Sequence, residues 1–193
     1  LFLTVLLIAF SPVLKAADRI VTIASDVSGS TCGASCSLRQ AVTAASANDT
    51  IKFDSALDTH DICLNSTLTI SKTLTFQGNG LTNTIINASC SVASTYSAFT
   101  INSSASGSVI TGVKIIGGHT SANGGGINLR GGILTVSLSE ISGNTAAQGG
   151  GLAATGGSTL NLSQVTISGN QSSQSGSGLY TLGTSGTSTL LDM

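Results

Sequence analysis

The sequence predicts an all-β protein, a right-handed parallel β-helix whose three-strand coils are each about 26 residues long. Two repeated motifs set this period. Gly-Gly-Gly-Ile/Leu begins at Gly124 and Gly149, and Ile-Ser-Gly-Asn begins at Ile141 and Ile167. Between the motifs, apolar and polar residues alternate in short runs, as in strands with one buried face. Coils of equal length can therefore stack so that each strand pairs with its counterpart one coil later.

The motif residues are candidate turn and ladder positions. Asn144 and Asn170 are expected to stack in one column, where their side-chain amides satisfy backbone groups. The Ile-Gly-Gly-His segment ending at His119 precedes the first Asn motif by 25 residues, so His119 is expected in the same column. The motif glycines are expected to provide the positive φ angles that turns require. They include Gly125, Gly126, Gly150 and Gly151.

Weaker alternating segments extend the stack towards the N-terminus. The strands predicted there cover residues 50–53, 67–70, 73–76, 84–87, 98–101 and 112–115. With the coils that carry the motifs, the count is about four and a half coils. Residues 187–193 are predicted to be a further strand, and we expect the natural protein to continue beyond Met193.

The segment before the stack contains a predicted helix. Ser37 and Gln40 have the S-x-x-Q spacing of a capping box, and apolar residues follow at helical spacing. The helix is predicted over residues 38–47 and a strand over 19–23. Because an open β-helix leaves an unpaired strand edge at each end, residues 17–49 are predicted to cap a β-helix that covers 50–193.

The four cysteines are predicted to form disulfides. Cys32 and Cys36 can close a short local loop, while Cys63 and Cys90 are 27 residues apart, about one coil. One coil of separation would bring their Cα atoms within the range of about 4.4–6.8 Å that a disulfide needs. The alternative is that Cys63 and Cys90 are buried free thiols. No metal site is expected, because the sequence has no CxxC pair and only two histidines.

The N-terminal residues predict export. An apolar run of ten residues, followed by Ser11-Pro12 and small residues, is typical of a secretory signal peptide, here over residues 1–16. The alternative is a buried N-terminal strand. The predicted disulfides agree with export, because they persist in oxidising compartments. The run is too short to span a bilayer, so no transmembrane segment is expected in the mature chain.

Composition excludes several classes of partner. Charged residues make up 8% of the chain and the net charge is -1, so neither a nucleic acid nor a polybasic membrane contact is expected. Hydrophobic residues make up 40%, which is too high for a disordered chain with so little charge. No cofactor motif is present, and we expect a monomer.

No catalytic residue is assigned from the sequence. Glu140 is the single acidic residue between positions 62 and 191, whereas glycoside hydrolysis uses a pair of carboxylates. Lys114 precedes Glu140 by 26 residues, so the two are predicted to form an ion pair across adjacent coils. The acids near the cap and the histidine among them are interpreted as turn and loop residues: Asp49, Asp54, Asp58, His60 and Asp61.

Three segments resemble known families. Residues 36–42, Cys-Ser-Leu-Arg-Gln-Ala-Val, followed by Asn-Asp-Thr-Ile-Lys-Phe at 48–53, resemble the CSLREA domain of bacterial surface and secreted β-helix proteins. The two motifs are similar to the GGA(I/L/V) and FxxN repeats of chlamydial-type polymorphic outer membrane proteins. Residues 64–80 are similar to the opening coil of pectin-lyase-like β-helices. These resemblances imply a right-handed β-helix at the bacterial surface or outer membrane, or secreted, without a defined activity.

Two functional hypotheses follow. The first is a secreted or surface-displayed structural, adhesin-like protein without catalytic activity, whose partner would be a polysaccharide or a host or cell-surface ligand. The second is the N-terminal part of a β-helix polysaccharide lyase or glycoside hydrolase whose catalytic coils lie beyond Met193. Paired threonines at 67/69 and 73/75 also raise ice binding, but later coils do not continue this pattern.

Overall fold

The computed structural model describes residues 16–90, 95–183 and 188–189. The predicted signal peptide lies outside these residues except for Ala16, and of the predicted last strand only Ser188–Thr189 is described. One helix, α1, covers Leu38–Ala44, and 3-10 turns cover Ser55–Leu57 and Ser103–Ala105. The strands are β1 Asp18–Val21, β2 Thr50–Phe53, β3 Asp61–Cys63, β4 Leu68–Ile70, β5 Thr75–Gln77, β6 Ile85–Asn87, β7 Phe99–Asn102, β8 Ser108–Thr111, β9 Lys114–Ile116, β10 Ile127–Arg130, β11 Ile133–Ser142, β12 Thr145–Gln148, β13 Leu152–Ala154, β14 Thr159–Ser168, β15 Gln171–Ser175, β16 Leu179–Thr181 and β17 Ser188–Thr189.

The strands form a parallel β-helix, as predicted, and it has about five coils where the sequence predicted about four and a half. The first face contains β1, β2, β5, β8, the first half of β11, the first half of β14 and β17. The second contains β3, β6, β9 and the second halves of β11 and β14, and the third contains β4, β7, β10, β13 and β16. Each strand pairs in parallel with its counterpart one coil away. β11 and β14 bend at the corner between the first and second faces, so each contributes to both.

The core is a set of aliphatic columns that run through the coils. On the second face, one column consists of Ile62, Ile86, Ile115 and Ile141, which are paired in register and fully or almost fully buried. Burying each such side chain contributes about 1.5–3 kcal/mol relative to leaving it in water. Phe76 and Phe99 meet edge to face across the interior, with ring centroids 5.6 Å apart.

The register corrects the predicted position of His119. Lys114 pairs with Glu140, so the step on this face is 26 residues and not 25. Gly118 is therefore level with Asn144, whereas His119 bridges to Thr145 and is exposed. The sequence offered two adjacent isoleucines as the start of the motif. Ile115, the first of the two, is the buried one and pairs with Ile141, whereas the prediction had paired Ile116 with Ile141. Every residue of this segment therefore lies one position away from its predicted partner.

Four strands were not predicted: β3, β8, β12 and β15. β3 was missed because it has three residues and a single inward one, Ile62. β8 was missed because Ser108 occupies one of its inward positions, where its hydroxyl donates to Ala105 O at 2.7 Å and accepts from Leu74 N at 3.1 Å. β12 and β15 pair with each other in a separate two-stranded sheet. Their sequences, Thr-Ala-Ala-Gln and Gln-Ser-Ser-Gln-Ser, lack the aliphatic alternation by which strands were recognised.

The N-terminal cap differs from prediction in two respects. β1 pairs in parallel with β2, so it adds a strand to the first face and does not only cover it. Helix α1 ends at Ala44, three residues before the predicted end. The ammonium of Lys72, from the next coil, donates to the carbonyls of Thr43 and Ala45. A cation at these free carbonyls stabilises the end of the helix at this point.

The capping box begins helix α1. The Ser37 hydroxyl accepts a hydrogen bond from Gln40 N at 3.2 Å, and the Gln40 side chain accepts one from Ser37 N at 3.0 Å. Leu38, Ala41 and Val42 are the buried residues of the helix. The helix thus covers the first coil with its apolar side, and the N–H groups of Ser37 and Gln40 at its start are satisfied without an acidic residue.

Asp49 holds the cap and the first coil together, which goes beyond the turn role that was predicted for it. Its buried carboxylate accepts from Ala17 N at 2.8 Å, Ser46 N at 2.9 Å and Arg19 Nε at 3.1 Å. Burial raises the pKa of Asp49, but these three donors outweigh burial, and the pKa lies below its ordinary value. The ionised form is therefore the one that stabilises the fold.

Asp49→Asn is expected to destabilise the protein by about 1.5–3 kcal/mol at neutral pH, because it removes a charged acceptor of three hydrogen bonds. Because the pKa of Asp49 is depressed in the folded state, the difference in free energy of unfolding between wild type and D49N is at its full value above about pH 5. This difference is lost as the pH falls through about 4 and below, where the carboxylate becomes protonated. Urea unfolding of both proteins at several pH values measures this difference. Asp54→Asn is the control, because among the described residues the Asp54 side chain accepts only from Ala56 N, and asparagine caps a turn equally well. A difference between wild type and D49N that does not change with pH would contradict this account.

Candidate functional site

Lys114 and Glu140 form the ion pair that their spacing predicted. Lys114 Nζ lies 3.0 Å from Glu140 Oε1 on neighbouring strands of the second face. The Ser142 hydroxyl donates to the same carboxylate oxygen at 2.6 Å. Burial raises the pKa of Glu140, but Ser142 and Lys114 outweigh burial and hold the pKa below its ordinary value. Glu140 is therefore ionised near neutral pH, which makes it a poor general acid.

The acidic residues near the cap are engaged in structural contacts. Asp58 and Asp61 accept from the side-chain amides of Asn79 and Asn87, each at 2.8 Å. Asp26, which the sequence did not single out, accepts both Arg39 Nε and Arg39 Nη2 at 2.8 Å and also a backbone N–H. Its side chain is almost fully buried. No spacing pattern marks Asp26, because its partner lies 13 residues away across the cap loop.

The cysteines are all paired. Cys32 and Cys36 close the short loop, with Cα atoms 4.8 Å apart, and Cys63 and Cys90 link adjacent coils, with Cα atoms 5.6 Å apart. The free-thiol alternative for the second pair is therefore wrong. Within residues 16–90, 95–183 and 188–189, no group of three His, Cys, Asp or Glu side chains could hold a metal ion. The same residues include no helix long and apolar enough to cross a membrane.

The Asn ladder joins three successive coils. Asn144 is fully buried, and the two hydrogens of its side-chain nitrogen are shared among Ile115 O, Ser142 O and Asn170 Oδ1, each 3.0–3.1 Å away. Its side-chain oxygen accepts from Gly118 N at 2.9 Å. Asn170 Oδ1 also accepts from Asn144 N at 2.9 Å. Each amide thus satisfies backbone groups of the preceding coil, which strand pairing leaves open at the turn.

The glycines of the Gly-Gly-Gly motifs are required mainly by close backbone approach, which corrects the positive φ angles predicted for four of them, whereas Gly143 and Gly169 of the Ile-Ser-Gly-Asn motifs do have the predicted positive φ. Gly124 and Gly149 do have positive φ, at 70° and 63°. The next two glycines of each motif do not: Gly125, Gly126, Gly150 and Gly151. A Cβ on Gly126 would lie 2.7 Å from Gly151 O and 2.8 Å from Ile141 Cγ2.

Gly126→Ala is expected to destabilise the protein by about 1–3 kcal/mol, because the added methyl meets backbone that cannot move freely. Gly33→Ala is the matched control: a Cβ there meets nothing within 4 Å, and its φ is ordinary. Thermal unfolding of the two variants measures the difference. Equal melting temperatures of G126A and G33A would contradict the close approach of Gly126 to Gly151 O and Ile141 in neighbouring coils.

A groove lies at the corner between the first and second faces. Its volume is about 490 Å³, within the range of ligand sites, and it is open to solvent. The corner residues of successive coils line it: Gly78, Gly112, Leu138 and Gln164. The remaining lining residues are Gln77, Gly80, Leu81 and Thr111. The groove was not predicted, because its residues share no motif and come together only through the register.

Leu138 is the most unusual residue of the groove. Its φ is +48°, in the left-handed region, and its side chain is 54% exposed. Gly112 one coil earlier and Gln164 one coil later have φ angles of +67° and +55°, so three successive corners adopt the left-handed conformation, whereas Gly78 at the corner before them does not. A residue other than glycine there costs about 1–2 kcal/mol. Leucine thus bears both backbone strain and exposure of apolar surface.

Comparison of the chain with family models, with curated proteins and with solved structures finds no match.

Proposed function

We propose that this chain is an exported, non-catalytic β-helix protein of the bacterial surface, outer membrane or secreted fraction. It displays its outer faces to a polysaccharide or cell-surface ligand, as adhesins do. One observation carries the non-catalytic part of the proposal. Glu140, the single acid of the sequence between positions 62 and 191, is held by Lys114 and Ser142. A lone carboxylate of this kind lacks the partner that glycoside hydrolysis uses.

Export is supported by the two disulfides and by the apolar N-terminal sequence. Cys63–Cys90 joins consecutive coils, and such a bond persists in an oxidising compartment but not in a reducing cytosol. Residues 1–16 have the order of an apolar run followed by small residues that signal peptides have. The resemblance of residues 36–53 to the CSLREA domain agrees with a surface or secreted location.

The proposal is tested with the purified chain on polygalacturonate, alginate, xylan and β-glucans. Lyase activity would appear as absorbance of unsaturated products and hydrolase activity as new reducing ends. We expect neither above the rate of a heat-denatured sample. Asp18→Asn is a matched control for Glu140→Gln, because it also replaces an ion-paired carboxylate by an amide, here in the exposed pair of Asp18 with Lys52 on neighbouring strands. Turnover that falls with E140Q and not with D18N would contradict the proposal and favour the polysaccharide-enzyme hypothesis.

A further inference from the structure

The left-handed conformation at Leu138 turns the corner of β11, as it does at Gln164 one coil later, but the fold does not require a leucine there. Gly112 shows that glycine is accepted at this corner, and its φ of +67° is nearly that of Leu138. The Leu138 side chain is 54% exposed at the wall of the groove. A strained residue with exposed apolar surface costs stability twice, and such costs are concentrated where a protein contacts a ligand.

The polar side chains of the groove have unused hydrogen-bonding capacity. Gln77 and Gln164 are exposed, and neither side-chain amide bonds to any residue that the structure describes. The Thr111 hydroxyl accepts from Ser137 Oγ at 3.0 Å, which leaves its own hydrogen to donate. Two amides and a hydroxyl can therefore donate to and accept from a ligand rich in hydroxyl groups.

The charge of the groove selects among ligand classes. None of its eight lining residues is charged. Lys114 and Glu140 stand two residues beyond the corners at Gly112 and Leu138, and they neutralise each other. An anionic polymer would find no cation to replace its solvation in the groove, and a cationic peptide would find no carboxylate. A neutral ligand needs no charged partner, so a groove without charged side chains can bind it.

The extent of the groove indicates a polymer. Its corner residues come from four successive coils, from Gly78 to Gln164, which is about 14 Å at the spacing of parallel strands. The groove is open to solvent, so a chain can pass through it. Sugar rings combine apolar C–H surfaces with hydroxyl groups, and Leu138 and Leu81 supply apolar contacts beside the amides.

We propose that this corner groove binds a neutral polysaccharide lying along the β-helix axis, with Leu138 held in a strained conformation to contact the sugar rings. The inference rests on the proposed function and narrows its ligand. Gln77, Thr111 and Gln164 bind the hydroxyl groups, and Leu81 adds a second apolar contact.

Affinity electrophoresis tests the proposal, with the purified chain run through native gels that contain galactomannan, hydroxyethylcellulose, laminarin, dextran or polygalacturonate. We expect at least one of the four neutral polymers to retard the protein, and polygalacturonate not to. Leu138→Gly and Gln164→Ala should weaken binding by roughly tenfold, since each removes contact surface or a hydrogen-bonding group. L138G should melt no lower than wild type, because the corner strain is relieved.

Two further variants keep the result interpretable. Ile133→Ser removes an exposed apolar side chain from the same strand, β11, outside the groove, and should bind like wild type. Leu138→Asn, which tolerates the left-handed conformation, replaces L138G if the glycine variant melts lower than wild type.

Three outcomes would overturn the inference: retardation by no neutral polymer, stronger retardation by polygalacturonate, or unchanged binding by both Leu138 variants. Light scattering adds a fourth. If wild type is a dimer and L138G a monomer, then the groove is occupied by a second copy of the chain. None of these results involves turnover, so failure here is distinguishable from failure of the non-catalytic proposal.

Discussion

The structure depends on one constraint: each strand must pair in register with its counterpart one coil away. In parallel pairing, this register decides which side chains are neighbours along the axis. The ion pair of Lys114 with Glu140, the ladder of Asn144 on Asn170 and the Cys63–Cys90 disulfide all join residues 26 or 27 positions apart. A shift of one residue would turn the inward isoleucines outward and separate all three contacts.

The same constraint explains why the two motifs occur together. Gly126 belongs to the glycine motif, and a Cβ on it would meet Ile141 and Asn144, which belong to the Ile-Ser-Gly-Asn motif of the next coil. Gly151 stands in the same relation to Ile167 and Asn170. The absence of a side chain at Gly126 thus leaves room for the Asn144 amide, which bonds to the backbone of Ile115 and Gly118 at the turn of the preceding coil. The two motifs therefore recur together because they pack against each other between coils, and not because each forms a turn by itself.

Much of this could be predicted from sequence, because inward aliphatic residues and spacing report directly on the register. All six upstream segments predicted as strands overlap an observed strand. The errors arise where burial or close packing decides between equal patterns. Ile115 and Ile116 are equivalent in sequence, and only burial of Ile115 places Gly118, not His119, beside Asn144. The roles of Asp49 and Asp26 depend on partners far away in the chain, which no spacing rule reveals.

The candidate site was hidden for a related reason. Leu138 follows a regular alternating run, and its sequence gives no sign that it turns a corner at positive φ. Only alignment with Gly112 one coil earlier shows that leucine stands where glycine would be less costly. Both functional proposals therefore depend on the register, as the fold does. The register brings the groove residues together from four coils and places Lys114 beside Glu140.

The register itself is tested most directly by cross-linking across adjacent coils. Thr111 Oγ1 and Ser137 Oγ lie 3.0 Å apart on β8 and β11, so cysteines at these two positions should form a disulfide on mild oxidation. Cysteines at Thr111 and Ser163, two coils apart, should not. Peptide mapping without reduction identifies the bonds. A 111–137 bond alone is the result expected of stacked coils, whereas its absence, or a 111–163 bond of equal yield, would contradict the parallel β-helix.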